Sequence, residues 1–85
     1  MTVEVIMAYL GRLLVDQMGC APEQVVPEAH FLLSDPWPRI GMEPADKDRM
    51  FALVAAEFGA TVPMELRDGM TTVGDLAKWI EGERP

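Results

Sequence analysis

Apolar residues recur at helical spacing in three separate stretches of the chain. Ile6, Leu10, Leu13, Leu14 and Met18 form one stripe, with Glu4, Arg12 and Asp16 off it. Thr2 precedes this run as a cap, Glu4 places an acid in its first turn, and Gly19 follows as a stop. The pattern predicts a helix from Thr2 to about Met18. A second stripe, Met50, Phe51, Val54, Ala55 and Phe58, predicts a helix that opens near Pro44 and ends at Gly59. Asp46 and Asp48 suit the positive end of that helix. A third stripe, Val73, Leu76, Ala77 and Ile80, has Trp79 at its edge. Thr71 or Thr72 caps it, with Asp75 as the acidic half of a capping box, and Gly82 reads as its stop. Residues 83–85 are expected to fray. Between the second and third stripes, Ala60-Thr61-Val62-Pro63 reads as an extended connector, and Met64 to Asp68 as one short helical turn closed by Gly69.

Residues 20–42 break the helical pattern. Pro22, Pro27, Pro36 and Pro38 exclude a continuous helix or a central strand there, while Val25, Val26, Phe31, Leu32 and Leu33 supply apolar anchors. A connection this long is usually packed or functional. Its most distinctive piece is Ser34-Asp35-Pro36-Trp37-Pro38, where both prolines restrict the preceding residue and hold Trp37 on an extended segment. No alternation is long enough to support a sheet. The expected fold is therefore all-α: one domain over residues 1–85, with three main helices and a short one.

Composition narrows the function. The 85 residues carry 14 acids and 7 bases, a net charge of −7, which repels phosphate backbones and argues against nucleic-acid binding. A basic protein surface is the natural complement, although such charge also serves solubility. No apolar run is long enough to cross a bilayer, and no basic patch precedes an apolar stretch at the N-terminus, so we expect a cytoplasmic monomer with no membrane partner. The single cysteine, Cys20, excludes an internal disulfide and reads as a small packed hydrophobe. His30 has no nucleophile partner and reads as a polar turn contact. The seven methionines fall mostly at core spacing. No metal-ligand spacing, phosphate loop or nucleophile–base pair is present, so no catalytic residue, no metal site and no enzyme activity is expected.

The order of elements, together with Glu57-Phe58-Gly59-Ala60-Thr61-Val62-Pro63 and Met70-Thr71-Thr72-Val73-Gly74-Asp75-Leu76-Ala77-Lys78-Trp79-Ile80, resembles an acyl carrier protein over nearly the whole chain. Leu10, Leu13, Leu14, Gln17-Met18-Gly19, Glu23-Gln24-Val25, Ala29 and Phe31 extend the likeness upstream. The resemblance implies a four-helix bundle serving fatty-acid, polyketide or related biosynthesis, with an enzyme of that pathway as partner. In that family a motif like Gly-x-Asp-Ser-Leu opens the second helix, and its serine carries 4′-phosphopantetheine. The matching residues here are Gly41-Met42-Glu43-Pro44-Ala45. Glu43 keeps the acid and Gly41 the turn, but Pro44 has no hydroxyl to form the phosphodiester. The expectation is therefore a carrier-like interaction module with no cofactor. The alternative is a working carrier with phosphopantetheine on Ser34, the only serine, in a loop longer than the family's usual one. The bland reading of Ser34 or Asp35 is a local turn contact.

The family's partner-facing helix is typically acidic. Arg49, Ala55 and Ala56 stand where acids are common, and Lys47 adds a positive charge, which disfavours the usual partners. The expected partner-binding residues are Trp37, Glu43, Asp46 and Arg49. Trp37 has two readings, an interface anchor and a ring folded back over the core, and the second is favoured in so small a domain.

Overall fold

A computed structural model describes residues 1–83. The first helix, α1, spans Val3–Met18, and Thr2 Oγ1 accepts from the Val5 N–H at 3.3 Å, satisfying one of the donors that a helix start leaves open. Ile6, Leu10 and Leu14 are fully buried, while Leu13 and Met18 pack at the margin of the core. Gly19 ends the helix in the left-handed region, and its N–H donates to the Val15 carbonyl at 3.2 Å.

The chain then makes a tight turn at Pro22–Gln24 and enters two short strands, β1 at His30–Leu32 and β2 at Arg39–Met42. They pair in parallel, His30 with Arg39 and Leu32 with Met42, with an irregular register between. This corrects the expectation of no sheet. Strands of three and four residues are too short to display an alternating pattern, and parallel neighbours normally need a crossover of a dozen or more residues. Here residues 33–38 make the crossover alone; Pro36 and Pro38 lie in that link and Pro22 and Pro27 before β1, so none of the four falls within a strand.

The second helix, α2, spans Pro44–Phe58 and buries Lys47, Met50, Phe51, Val54 and Phe58. A short helix, α3, follows at Met64–Arg67, and α4 runs Val73–Glu83 with Val73, Leu76, Ala77 and Ile80 buried. The capping box forms: Asp75 N–H donates to Thr72 Oγ1 at 3.1 Å, and Thr72 N–H donates to Asp75 Oδ2 at 3.1 Å. Gly82 lies inside α4 and does not stop it, and Glu83 is helical rather than frayed. Residues 84 and 85, part of the same expectation, lie outside the described residues.

The long connection is sewn to the start of α4. Phe31 N–H donates to Thr71 O, Val73 N–H to Ala29 O and Gly74 N–H to Pro27 O, at 3.0, 3.0 and 2.8 Å. A Cβ on Gly74 would stand 2.8 Å from that Pro27 carbonyl oxygen, so the close approach needs glycine. Ala29 and Phe31 thereby reach the core beside residues of α1, α2 and α4, and the result is a helical bundle with a small strand pair on its long loop. Among the described residues no helix is long and apolar enough to cross a membrane.

Candidate functional site

The start of α2 is set by three residues close together in sequence. Gly41, the third residue of β2, holds φ +91°, a conformation that L side chains rarely adopt, in a strand pair whose register is irregular. Glu43 takes the capping position, where its carbonyl accepts from the N–H groups of Asp46 and Lys47 at 3.0 and 3.1 Å, but its side chain makes no capping bond. Pro44 is the first helical residue, where its missing N–H costs nothing and its fixed φ suits the helix.

Opposite Pro44 stands the loop between the strands. Asp35 closes it: its Oδ2 accepts the Leu32 N–H at 3.1 Å, its own N–H donates to Leu32 O at 3.1 Å, and its carbonyl accepts from Arg39 Nη1 at 3.4 Å. His30 contributes a second tie, with Nδ1 3.0 Å from Pro38 O, the oxygen that also accepts the His30 backbone N–H at 2.8 Å. The turn contact expected of Ser34 or Asp35 is thus made by Asp35. Ser34 is exposed, and no hydrogen bond engages its hydroxyl among the described residues. Ser34 lines a surface cleft of about 410 Å³ together with Leu33, Met42, Glu43 and Pro44. Ten residues apart in sequence, Ser34 and Pro44 meet on one cleft.

Trp37 is 82% exposed and Leu33 56%. The favoured expectation that Trp37 folds over the core is therefore wrong. The fully buried rings are those of Phe31 and Phe51, and the Trp37–Pro38 peptide is cis. Trp37 and Leu33 leave a large apolar surface facing solvent on the loop beside the α2 start.

The remaining expected residues lie on a second cleft, of about 200 Å³, where Asp46 and Arg49 face Cys20, Gln24 and Ile40. Met42 lines both clefts, so Glu43 and Pro44 on one side and Asp46 and Arg49 on the other flank the first turns of α2. Burial pushes the Cys20 thiol up, and the Asp46 carboxylate adds to the effect, so Cys20 is a protonated and poor nucleophile at neutral pH. Arg49 does more than present a charge: its Nη2 donates to Gln17 O at 3.2 Å, clasping α2 to the end of α1.

Lys47 is the residue that the sequence misplaces. It was expected on the exposed face of α2, but only 9% of it is accessible. Its Nζ lies 5.7 Å from the Phe31 ring centre and 5.9 Å from that of Phe51, and donates to Arg67 O at 3.4 Å. The Arg67 guanidinium sits 5.0 Å from the Phe51 ring centre, and its Nε donates to Val62 O at 3.1 Å. Two cations and two rings thus tie α3 to α2 and β1. The signal was present in the spacing, since Lys47 stands three and four residues before Met50 and Phe51 on the buried stripe.

With this geometry in place, comparison with known proteins has an independent bearing. No protein-family model matches the chain. The acyl carrier proteins of Bradyrhizobium sp. (strain ORS 278) and Rhodopseudomonas palustris (strain TIE-1) are each 29% identical to it over 70 residues, covering 82% of this chain and 82% of theirs. The chain is acyl-carrier-like along most of its length. The helical order agrees with that likeness, and those relatives are by name carriers rather than enzymes, as expected of this protein. Among the described residues no group of three or more His, Cys, Asp or Glu could hold a metal.

Proposed function

We propose that this protein is an acyl-carrier-like interaction module of a fatty-acid, polyketide or related pathway, one that engages a biosynthetic enzyme without a covalent phosphopantetheine arm. The observation that carries this reading is Pro44. It opens α2, the position at which the resemblance puts the attachment serine, and it has no oxygen to carry a phosphodiester. What remains around it is a recognition surface. Trp37 and Leu33 supply exposed apolar area of the kind that anchors interfaces. Glu43 and Asp46 give the α2 start an acidic character that steers a basic partner face. Arg49 changes the charge pattern of that face and selects against partners built for an all-acidic helix. The protein works in this reading in the cytoplasm.

One observation favours a second reading, a working carrier with phosphopantetheine on Ser34. The Ser34 hydroxyl is exposed and shares the cleft of Pro44 and Glu43, so an arm there would leave from nearly the usual place.

Intact mass after incubation with coenzyme A and a broad-specificity phosphopantetheinyl transferase separates the two. The native protein is expected to stay unmodified while an ordinary carrier is modified in parallel. Pro44→Ser, which restores a hydroxyl one residue after Glu43, is expected to gain the arm. A native protein that gains the arm, and loses that gain in Ser34→Ala, overturns the non-covalent reading in favour of the second.

A further inference from the structure

The outer face of α1 carries a feature that the site beside Pro44 does not use. Glu4, Val5, Ala8, Tyr9 and Arg12 line one shallow groove of about 410 Å³, and all five are exposed. Val5 and Tyr9 are each more than 40% accessible. The Tyr9 ring is braced edge-on against Phe58, 6.3 Å between centres, so it is held in place rather than swinging free. Among the described residues neither Glu4 nor Arg12 has an ion-pair partner.

The spacing of these residues is symmetric. Glu4 lies four residues before Ala8 and Arg12 four after, about 6 Å to either side along the helix axis, too far apart to pair with each other. A second α1 laid antiparallel across the first, with the two-fold axis at Ala8, brings Glu4 of each copy opposite Arg12 of the other. Ala8 is small enough at the crossing for the backbones to approach, and the residues at 4, 8 and 12 are one ridge of the kind that packs into a facing groove. On the two flanks of the crossing Val5 then faces Gly11 of the other copy, and Tyr9 faces its Met7, which is half-buried and apolar. A patch that satisfies itself under a two-fold rotation is what an isologous dimer requires.

We propose that this face of α1 is the interface of a homodimer, with α1 crossing its copy antiparallel at Ala8 and two Glu4–Arg12 ion pairs exchanged between protomers. This takes the place of the monomer expected from sequence. The interface shares no residue with the clefts at the α2 start, so the dimer presents two copies of that site, and the proposal does not depend on how the site is used.

Sedimentation equilibrium from micromolar to millimolar concentration tests it, with circular dichroism confirming that each variant is folded. The native protein is expected to dimerise within that range. Glu4→Arg or Arg12→Glu alone sets like charges against each other at both ends of the interface, and each is expected to weaken dimerisation roughly tenfold or more. The double variant Glu4→Arg/Arg12→Glu restores opposite charges and is expected to recover the dimer, which a variant that merely disturbs α1 would not. Ala8→Glu is expected to abolish association. A native protein that is monomeric throughout, as it would be if this face served a different partner, overturns the proposal. So do single reversals that leave the dimer intact, and a double reversal that does not restore it.

Discussion

Lys47 allows the role of a buried charge to be divided between its stem and its head. Lys47→Met keeps a flexible apolar chain of similar reach and removes the ammonium. It loses attraction to two rings, about 0.5–1 kcal/mol each, and one hydrogen bond to Arg67 O, which at 3.4 Å is long and worth less than most. Against this it no longer holds an ammonium out of water at a position 9% accessible, a relief of at least similar size. The net change is within about 1 kcal/mol of the native protein. Lys47→Ala removes the stem as well. Three heavy atoms at about 0.8 kcal/mol each give about 2.4 kcal/mol before any cavity cost. The gap between the two variants is therefore about 2 kcal/mol or more, or roughly 8–16 °C in Tm for a domain of this size. Urea and thermal unfolding followed by far-ultraviolet circular dichroism measure it. If Lys47→Met is as unstable as Lys47→Ala, the ammonium and not the packed stem holds α3 against α2, and the reasoning above is wrong.

The capping box of α4 gives a pH dependence. Partial burial pushes the Asp75 carboxyl up, but hydrogen bonds from Thr72 and Thr71 outweigh that and leave it below the usual carboxylate range. A pKa lowered on folding contributes stability above the unfolded value of about 3.9, lost as pH falls through the folded value below it. Asp75→Asn is expected to cost about 0.5–1 kcal/mol at neutral pH, at the low end for a cap because the site is solvated, with the gap to the native protein closing in acid below about pH 4; a gap independent of pH refutes the assignment. Gly74→Ala would push a Cβ against the Pro27 carbonyl and is expected to cost about 1–3 kcal/mol by thermal unfolding, whereas an unchanged Tm would mean that the loop yields easily. Trp37→Ala is expected to leave stability within about 0.5 kcal/mol, because the ring is mostly in solvent, yet to raise the Kd for a bound partner roughly tenfold or more. Equal affinities by calorimetry would remove Trp37 from the interface.

The helices were legible because each repeats an apolar stripe and carries its own punctuation: Thr2 and Gly19 on α1, Pro44 and Gly59 on α2, Thr72 and Asp75 on α4. The strands were not, since a pair held by a few backbone bonds has no sequence period, and Phe31 alone gave β1 an inward anchor. Gly82 misled for a related reason. A glycine marks a helix end only when the chain must turn there: Gly19 and Gly59 end their helices at φ +71° and +68°, whereas Gly82 continues α4 without a positive φ. Of the expected interface residues, Asp46 and Arg49 come together on one cleft and Glu43 lies on the other, but the role of Arg49 as a clasp on Gln17 depends on how α1 and α2 cross, which no local pattern encodes. Trp37 was misjudged from size alone. A large ring is a natural core residue, but Phe31 and Phe51 are the rings fully buried here, and Trp37 lies on the crossover between the strands.

Pro44 and Lys47 point the same way when taken together. Proline at the first position of α2 fixes φ and reduces the freedom of the unfolded chain, so it favours the helix start while removing any hydroxyl from that position. One turn later, Lys47 occupies the space between Phe31, Phe51 and Arg67 and ties the short α3 down. Both residues make the α2 end more rigid, and neither provides a reactive group at the surface. Rigidity without reactivity suits a surface that is recognised more than one that is modified, because ordering costs are met before the partner arrives. In the proposed reading the contact surface is Trp37 and Leu33, apolar groups that stand in solvent on a loop pinned at Asp35 and His30. If Ser34 instead proves to carry an arm, that same rigid frame would act as its base, and the stabilising roles of Pro44 and Lys47 would stand unchanged.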